Sequence, residues 1–299
     1  MMCHLIDYGY TKLMILPGWD PSNFWNVQLI DLASEEQNCQ QPARFPWRRG
    51  FFGTTFNGLP FACNVQDECY YYNKEQDSWD QDIYNVGRHV QPGHVMINNS
   101  CFWVTGGEEE DYHQTSEIYT NDGWQEFISI PGNKRGHCNL QINDTHYFLT
   151  GGEYEVSAYI VDINNPLDYT TLENTSVPRG YAGCGMVVRS DGSKEIVLAG
   201  SGLDSDNSTA QSSEIFSFET MNWRPGPDLP EPLTGMRGVQ LENTFLTVGG
   251  ERRESNYGKI MMYNQRNDSW IIFPQTLTSS SGGFDSAFLV PDEAVNCDS

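Results

Sequence analysis

Lysine and arginine are scarce in this 299-residue sequence: 17 together, against 40 aspartates and glutamates, for a formal net charge of −23. A surface so acidic repels polyanions, which disfavours nucleic acid and anionic membranes and leaves a basic protein or cations as charge-matched partners. Long apolar runs are missing too, and none approaches the length of a spanning helix. The opening Met1-Met2-Cys3-His4 lacks the apolar core of a signal peptide. Two expectations follow: a signal lost before this numbering begins, or an intracellular protein. The eight cysteines show no paired CxxC at zinc-like spacing, so no metal cofactor is expected from them. The loop Asp204-Ser205-Asp206-Asn207-Ser208 lacks the central Gly and terminal Glu of an EF-hand, so it reads as a solvated loop.

What the chain has is a repeat. Apolar runs end in a Gly pair at Thr105-Gly106-Gly107, Thr150-Gly151-Gly152 and Val248-Gly249-Gly250. Degenerate copies end at Gly18, Asn64 and Gly200, so the six end points are spaced 46, 43, 45, 48 and 50 residues apart. An aromatic run then leads to a Trp five or seven residues beyond its Tyr or Phe, as in Tyr72 to Trp79, Tyr119 to Trp124, Phe218 to Trp223 and Tyr263 to Trp270. The fourth period offers Tyr169 instead, and the first is blurred around Trp47. Turn residues follow, and a Gly-bearing apolar stretch opens the next period: Arg49-Gly50, Arg135-Gly136, Arg179-Gly180 and Arg237-Gly238. Each period reads as four short strands, which cannot bury their faces without neighbouring copies.

The recurring Gly pair and the Tyr-to-Trp spacing resemble the kelch repeat. Six copies imply an all-β, six-bladed kelch propeller of four-stranded antiparallel blades. The expected organisation is an N-terminal extension at 1–10, a propeller over 11–291 and a tail at 292–299. The chain starts in phase with a second strand, at Leu13 to Gly18, and ends with Phe284 to Val290 in phase with a first. The C-terminus is therefore expected to supply the inner strand of the first blade and remove the open edge.

Cys63 ends a second strand and Cys69 opens the third, a placement that suits a disulfide. Cys3 and Cys297 are expected near the seam, where they form a second conceivable pair, while Cys138 and Cys184 on inner strands read as buried free thiols. Five glycosylation sequons occur, at Asn98, Asn143, Asn174, Asn207 and Asn267, a number not far above chance for this composition. With the even cysteine number, they lean toward an extracellular protein. Within the kelch family the chain is most similar to secreted invertebrate forms, on Cys63…Cys69-Tyr70, Ser116-Glu117-Ile118-Tyr119, Gly136-His137-Cys138 and Asn143 to Gly152.

The family includes copper oxidases acting on galactose and a bacterial sialic-acid epimerase, so a carbohydrate-active enzyme is one implied alternative. The oxidases need histidines on copper. Only His94 and His137 sit at the corresponding inner-strand position, and both are expected to be structural. No catalytic constellation emerges. The expectation is a non-enzymatic binding module for a protein or glycan ligand at one channel mouth, with no nucleic acid and no membrane span. Cytosolic kelch adaptors hold acidic peptides with arginines at this repeat position, which implies a second alternative, and a ring of Arg49, Arg135, Arg179 and Arg237 here. Glu153 is expected to face Arg135 and Glu251 to face Arg237. Arg49 and Arg179 are then left as the free anion-binding pair.

Overall fold

Short alternating apolar runs separated by turns fold here into sheets arranged as a ring. The structure is a computed structural model and describes residues 11–16, 26–34, 39–46, 50–64, 68–85, 89, 92–107, 114–132, 134–165, 168–200, 210–252, 255–256, 258–277 and 286–297. Five blades are four-stranded antiparallel meanders. The second runs through Gly50–Phe56, Leu59–Asn64, Glu68–Asn73 and Ser78–Asn85, and the third through Gly93–Asn98, Cys101–Thr105, Ser116–Thr120 and Gly123–Glu126. The fourth is Cys138–Gln141, His146–Thr150, Ala158–Asp162 and Tyr169–Thr171; the fifth is Gly183–Val188, Lys194–Ala199, Ser213–Ser217 and Asn222–Pro225. The sixth is Arg237–Gln240, Phe245–Val248, Lys259–Asn264 and Ser269–Thr276, with a small hairpin at Glu251–Arg252 and Ser255–Asn256. The protein is a six-bladed β-propeller. No helix among the described residues is long and apolar enough to cross a membrane.

The first blade closes the ring as the phase of the two ends requires. Ala287–Val290 pairs antiparallel with Lys12–Ile15, matching Lys12 to Val290 and Ile15 to Ala287, and Lys12–Ile15 pairs with Gln28–Asp31. Its outer side is finished by side chains. The Gln41 amide accepts from Leu29 N at 3.0 Å and donates to Leu29 O at 3.1 Å, standing in for the backbone of a further strand. Beyond the closing strand, Asp292 accepts from Thr11 N and Oγ1, and Cys297 is bonded to Cys39. The pairing of Cys297 with Cys3 is thus corrected, and Cys3 itself lies outside the described residues.

Aromatic side chains fill the wedges between blades. Phe148 of the fourth blade packs against Phe216, Phe218 and Trp223 of the fifth, and Phe56 of the second against Phe102 and Tyr119 of the third. Such pairs add to simple area burial. Two of the repeat tyrosines tie down the outer turn: Tyr72 donates to Asp77 and Tyr263 to Asp268.

Cys63 and Cys69 are directly opposite across their strand pair and are disulfide-bonded. Cys138 and Cys184 are bonded as well, from the fourth blade to the fifth, which overturns their reading as free thiols. Cys138 is the first residue of its strand and Cys184 the second of the next, so the two side chains lean toward each other across the gap. Among the described cysteines only Cys101 is unpaired. Intact mass with alkylation should therefore show six thiols that label only after reduction, and labelling of Cys63, Cys138 or Cys297 without reductant would contradict this pairing. Of the sequons, Asn98, Asn143, Asn174 and Asn267 are exposed, while Asn207 lies outside the described residues.

Candidate functional site

Strands of a meander alternate in direction, so the loops that enter the inner strands and those joining second to third strands open on one face. On that face three basic side chains occupy one repeat position. His89 Nδ1 lies 2.5 Å from the carbonyl oxygen of Gly106, Lys134 Nζ donates to Gly151 O at 3.1 Å, and Arg179 Nη1 donates to Gly200 O at 2.9 Å. In each case the acceptor is the first glycine after the second strand of the same blade. The residue two places into the third strand completes each cage. Glu117 lies 3.1 Å from His89 Nε2, and Glu214 accepts from Arg179 Nε at 2.7 Å. Tyr159 offers its ring to Lys134 at 5.2 Å. The recurring Ser116-Glu117-Ile118 and Ser213-Glu214-Ile215 mark the two blades with a carboxylate.

This changes the reading of Arg179. It is 2% exposed and its guanidinium also donates to Ser212 O and Ser212 Oγ, so it is an internal brace and not a free anion-binding residue. A partly apolar setting demands that every donor of a guanidinium find an acceptor, and here the acceptors are the loop carbonyls. Its structural counterpart is Lys134 and not Arg135. Gly106 at φ +61 and Gly151 at φ +70 show why: a Cβ there would sit 2.1 Å from Lys134 O and 2.7 Å from Arg179 O.

Arg135 does face Glu153, with Nη1 and Oε2 2.6 Å apart, and its side chain keeps 30% exposure. Arg49, Glu108 and the Glu251 side chain lie outside the described residues. Next to Glu153 stands Tyr154, which sequence reasoning passed over. It is 78% exposed and holds φ +63, a left-handed conformation uncommon for a side chain of this size. The turn is fixed from both sides, by Glu153 N on Arg135 O and Glu155 N on Gly152 O.

Deeper in, the inner strands surround the channel. His94 is opposite Val104, and the residue at that place in the fourth blade is Asn139, opposite Leu149; His137 precedes the strand. The expected equivalence of His94 and His137 is therefore corrected by two residues. His137 Nε2 and Thr105 Oγ1 are 2.8 Å apart, and Asn139 Nδ2 donates to the same oxygen at 3.2 Å. Arg237, expected to be chiefly structural, is near enough to act electrostatically on both histidines. Burial first, and then the guanidinium of Arg237, lowers His94 to about 4, with a backbone contact to Gly53 partly offsetting this. Burial also holds His137 well below the usual imidazole range, helped by Lys134, Arg237 and His89.

Both histidines are thus neutral in the fold and protonated more readily when the chain unfolds. Their contribution is fully present above the unfolded imidazole range and is lost as pH falls toward the folded values. Between pH 7.5 and 4.5 His94 alone should remove about 2 kcal/mol of stability, and His94→Gln should flatten that part of the profile in urea titrations. Equal losses in the variant and the parent would contradict this.

No protein-family model and no curated protein sequence matches the chain. The solved structure described as "Structure of YjhT" superimposes with a TM-score of 0.68 over 86% of this chain and 96% of that one, at 13% identity. Likeness at that identity speaks for the propeller fold.

Proposed function

We propose that this protein is an extracellular, non-enzymatic interaction module of the kelch type, presenting a site for a protein or glycan ligand at the channel mouth of the fourth blade. The observation that carries the proposal is Tyr154, a large aromatic held out by a strained, doubly hydrogen-bonded turn beside the partly exposed Arg135. A rigid amphipathic ring next to a guanidinium is the composition of an interface anchor, because little side-chain freedom is lost on contact. Three disulfides and four exposed sequons support an oxidising, secretory environment. His94 and His137 each make a hydrogen bond within the protein, which fits a structural role better than service to a metal.

The test is a glycan array and a pull-down from extracellular fluid with the parent and with the Tyr154→Ala/Arg135→Ala variant. The expected result is loss of every specific ligand at a melting temperature lowered by only a few degrees. A ligand retained at full affinity by the variant would move the site elsewhere, and turnover of a bound sugar would replace the module with an enzyme.

A further inference from the structure

Three of the exposed sequons share one face. Asn98 closes the inner strand Gly93–Asn98, Asn143 lies between Cys138–Gln141 and His146–Thr150, and Asn267 lies between Lys259–Asn264 and Ser269–Thr276. Each of these turns joins a first strand to a second or a third to a fourth. In an antiparallel meander such turns open on the face opposite the mouth, the lower face, away from Tyr154 and Arg135. The fourth exposed sequon, Asn174, follows the outer strand Tyr169–Thr171 on the mouth side and takes no part.

At all three turns the carboxamide is held by its oxygen. Asn98 Oδ1 accepts from Ser100 N at 2.9 Å, and Asn143 Oδ1 from Thr145 N at 3.0 Å and His146 N at 2.9 Å. These backbone donors fix which end of each amide is the oxygen. Asn267 Oδ1 accepts from Ser269 Oγ at 2.8 Å. Each Nδ2 is then left over, and none of the three donates a hydrogen bond to another described residue. That nitrogen is the atom to which an N-linked sugar is attached. Asn57 and Asn73, turn asparagines outside any sequon, spend Nδ2 on Asn121 Oδ1 at 2.8 Å and Asp80 Oδ2 at 3.0 Å, and a sugar there would break those bonds.

We propose that Asn98, Asn143 and Asn267 carry N-linked glycans that cover the lower face and leave the mouth face as the side open to a partner. This rests on the secretory reading above. In the transfer, Nδ2 bonds to the anomeric carbon of the first sugar and loses one proton. The lipid pyrophosphate that carried the oligosaccharide leaves with the electron pair of the broken carbon–oxygen bond. The side chain keeps Oδ1 and one N–H, so the bonds that hold the turns survive. The sites fall on the third, fourth and sixth blades, so bulky chains stand around the ring and no broad partner lies flat on that side. Lys194, exposed at the start of the second strand of the fifth blade, donates to Ile142 O at 2.9 Å, which sets its amine beside the glycan of Asn143.

The test uses the full-length chain, led into the secretory pathway of a eukaryotic cell by an added signal peptide. Glycosidase digestion in heavy-oxygen water followed by peptide mapping should find Asn98, Asn143 and Asn267 each converted to labelled aspartate in most molecules. A secreted chain with its three disulfides formed, in which any of the three is bare in most molecules, overturns the proposal and leaves the secretory reading standing. A chain retained in the cell with free thiols overturns both. Cover of the lower face is read at Lys194. A bulky polyethylene glycol succinimidyl ester should fail to label it in the glycosylated protein and should label it in Asn143→Gln, whereas acetic anhydride labels it in both. Equal labelling by the bulky reagent refutes the cover. Should Asn143→Gln fail to fold, Thr145→Ala, which removes the sequon and keeps Asn143, takes its place with the same expected outcomes.

Discussion

Deleting residues 284–299 is expected to unfold the whole propeller. The segment contributes the inner strand Ala287–Val290, the Asp292 contacts to Thr11 and the Cys297 half of a bridge whose partners are 258 residues apart. By the chain-entropy model a loop of that length is worth on the order of 5 kcal/mol, and the inner strand seals the apolar cluster of Leu13, Ile15, Ala287 and the sixth-blade residues Val248 and Ile260. Together these match the whole stability of an ordinary domain. Circular dichroism and limited proteolysis should find no cooperative transition at the parent melting temperature. A truncated protein that still melts cooperatively there would show that five blades suffice. Cys297→Ser, which removes the bridge and keeps the strand, should lower stability and still fold.

Replacing Arg179 by Met is expected to be among the most damaging single changes available, at about 3–5 kcal/mol in equilibrium unfolding. The cost comes from what stays behind. Glu214 is left as a buried carboxylate, the carbonyl of Gly200 loses the Arg179 donor, and that of Ser212 keeps the Gly200 N–H but loses its bond from Arg179. Arg179→Lys should recover only part of the loss, because an ammonium cannot span the fork of acceptors. Adding Glu214→Gln to Arg179→Met should restore a measurable share, since the uncompensated charge is gone. If the double variant is as unstable as the sum of both single variants, the pair is not coupled and the brace is misassigned.

These two residues show where sequence reasoning reaches and where it stops. The six periods and the bond between Cys63 and Cys69 were legible because each depends on spacing along local stretches, and the ring closure because the two ends carry complementary phases of the same repeat. So was the pairing of Arg135 with Glu153. The phase of the mouth cations was not, because Arg135-Gly136 and Arg179-Gly180 look alike and yet differ by one residue in distance to their strands. Arg135 lies three residues before Cys138, whereas Arg179 lies four before Gly183. One residue is enough to turn a side chain from one surface to the other. The true repeat, a base 17 residues before the first glycine in His89 and Lys134, was present but carried by two different residue types. Cys138 and Cys184 failed for the same reason, since the side a strand residue faces depends on register. Tyr154 left no pattern at all; its importance lies in a dihedral angle.

The closing strand also has a consequence for biosynthesis. A ribosome completes five blades before it makes the residues that finish the first, so Lys12–Ile15 is translated before those blades and waits for its inner neighbour until after them. Throughout that interval Cys39 is a thiol without its mate, in reach of Cys63 and Cys69, whose own loop spans only six residues. The nascent chain is therefore most open to wrong disulfides around Cys39, Cys63 and Cys69. If the chain is made in the secretory compartment proposed above, its yield should depend on an isomerase that can undo a premature bond before the last strand arrives.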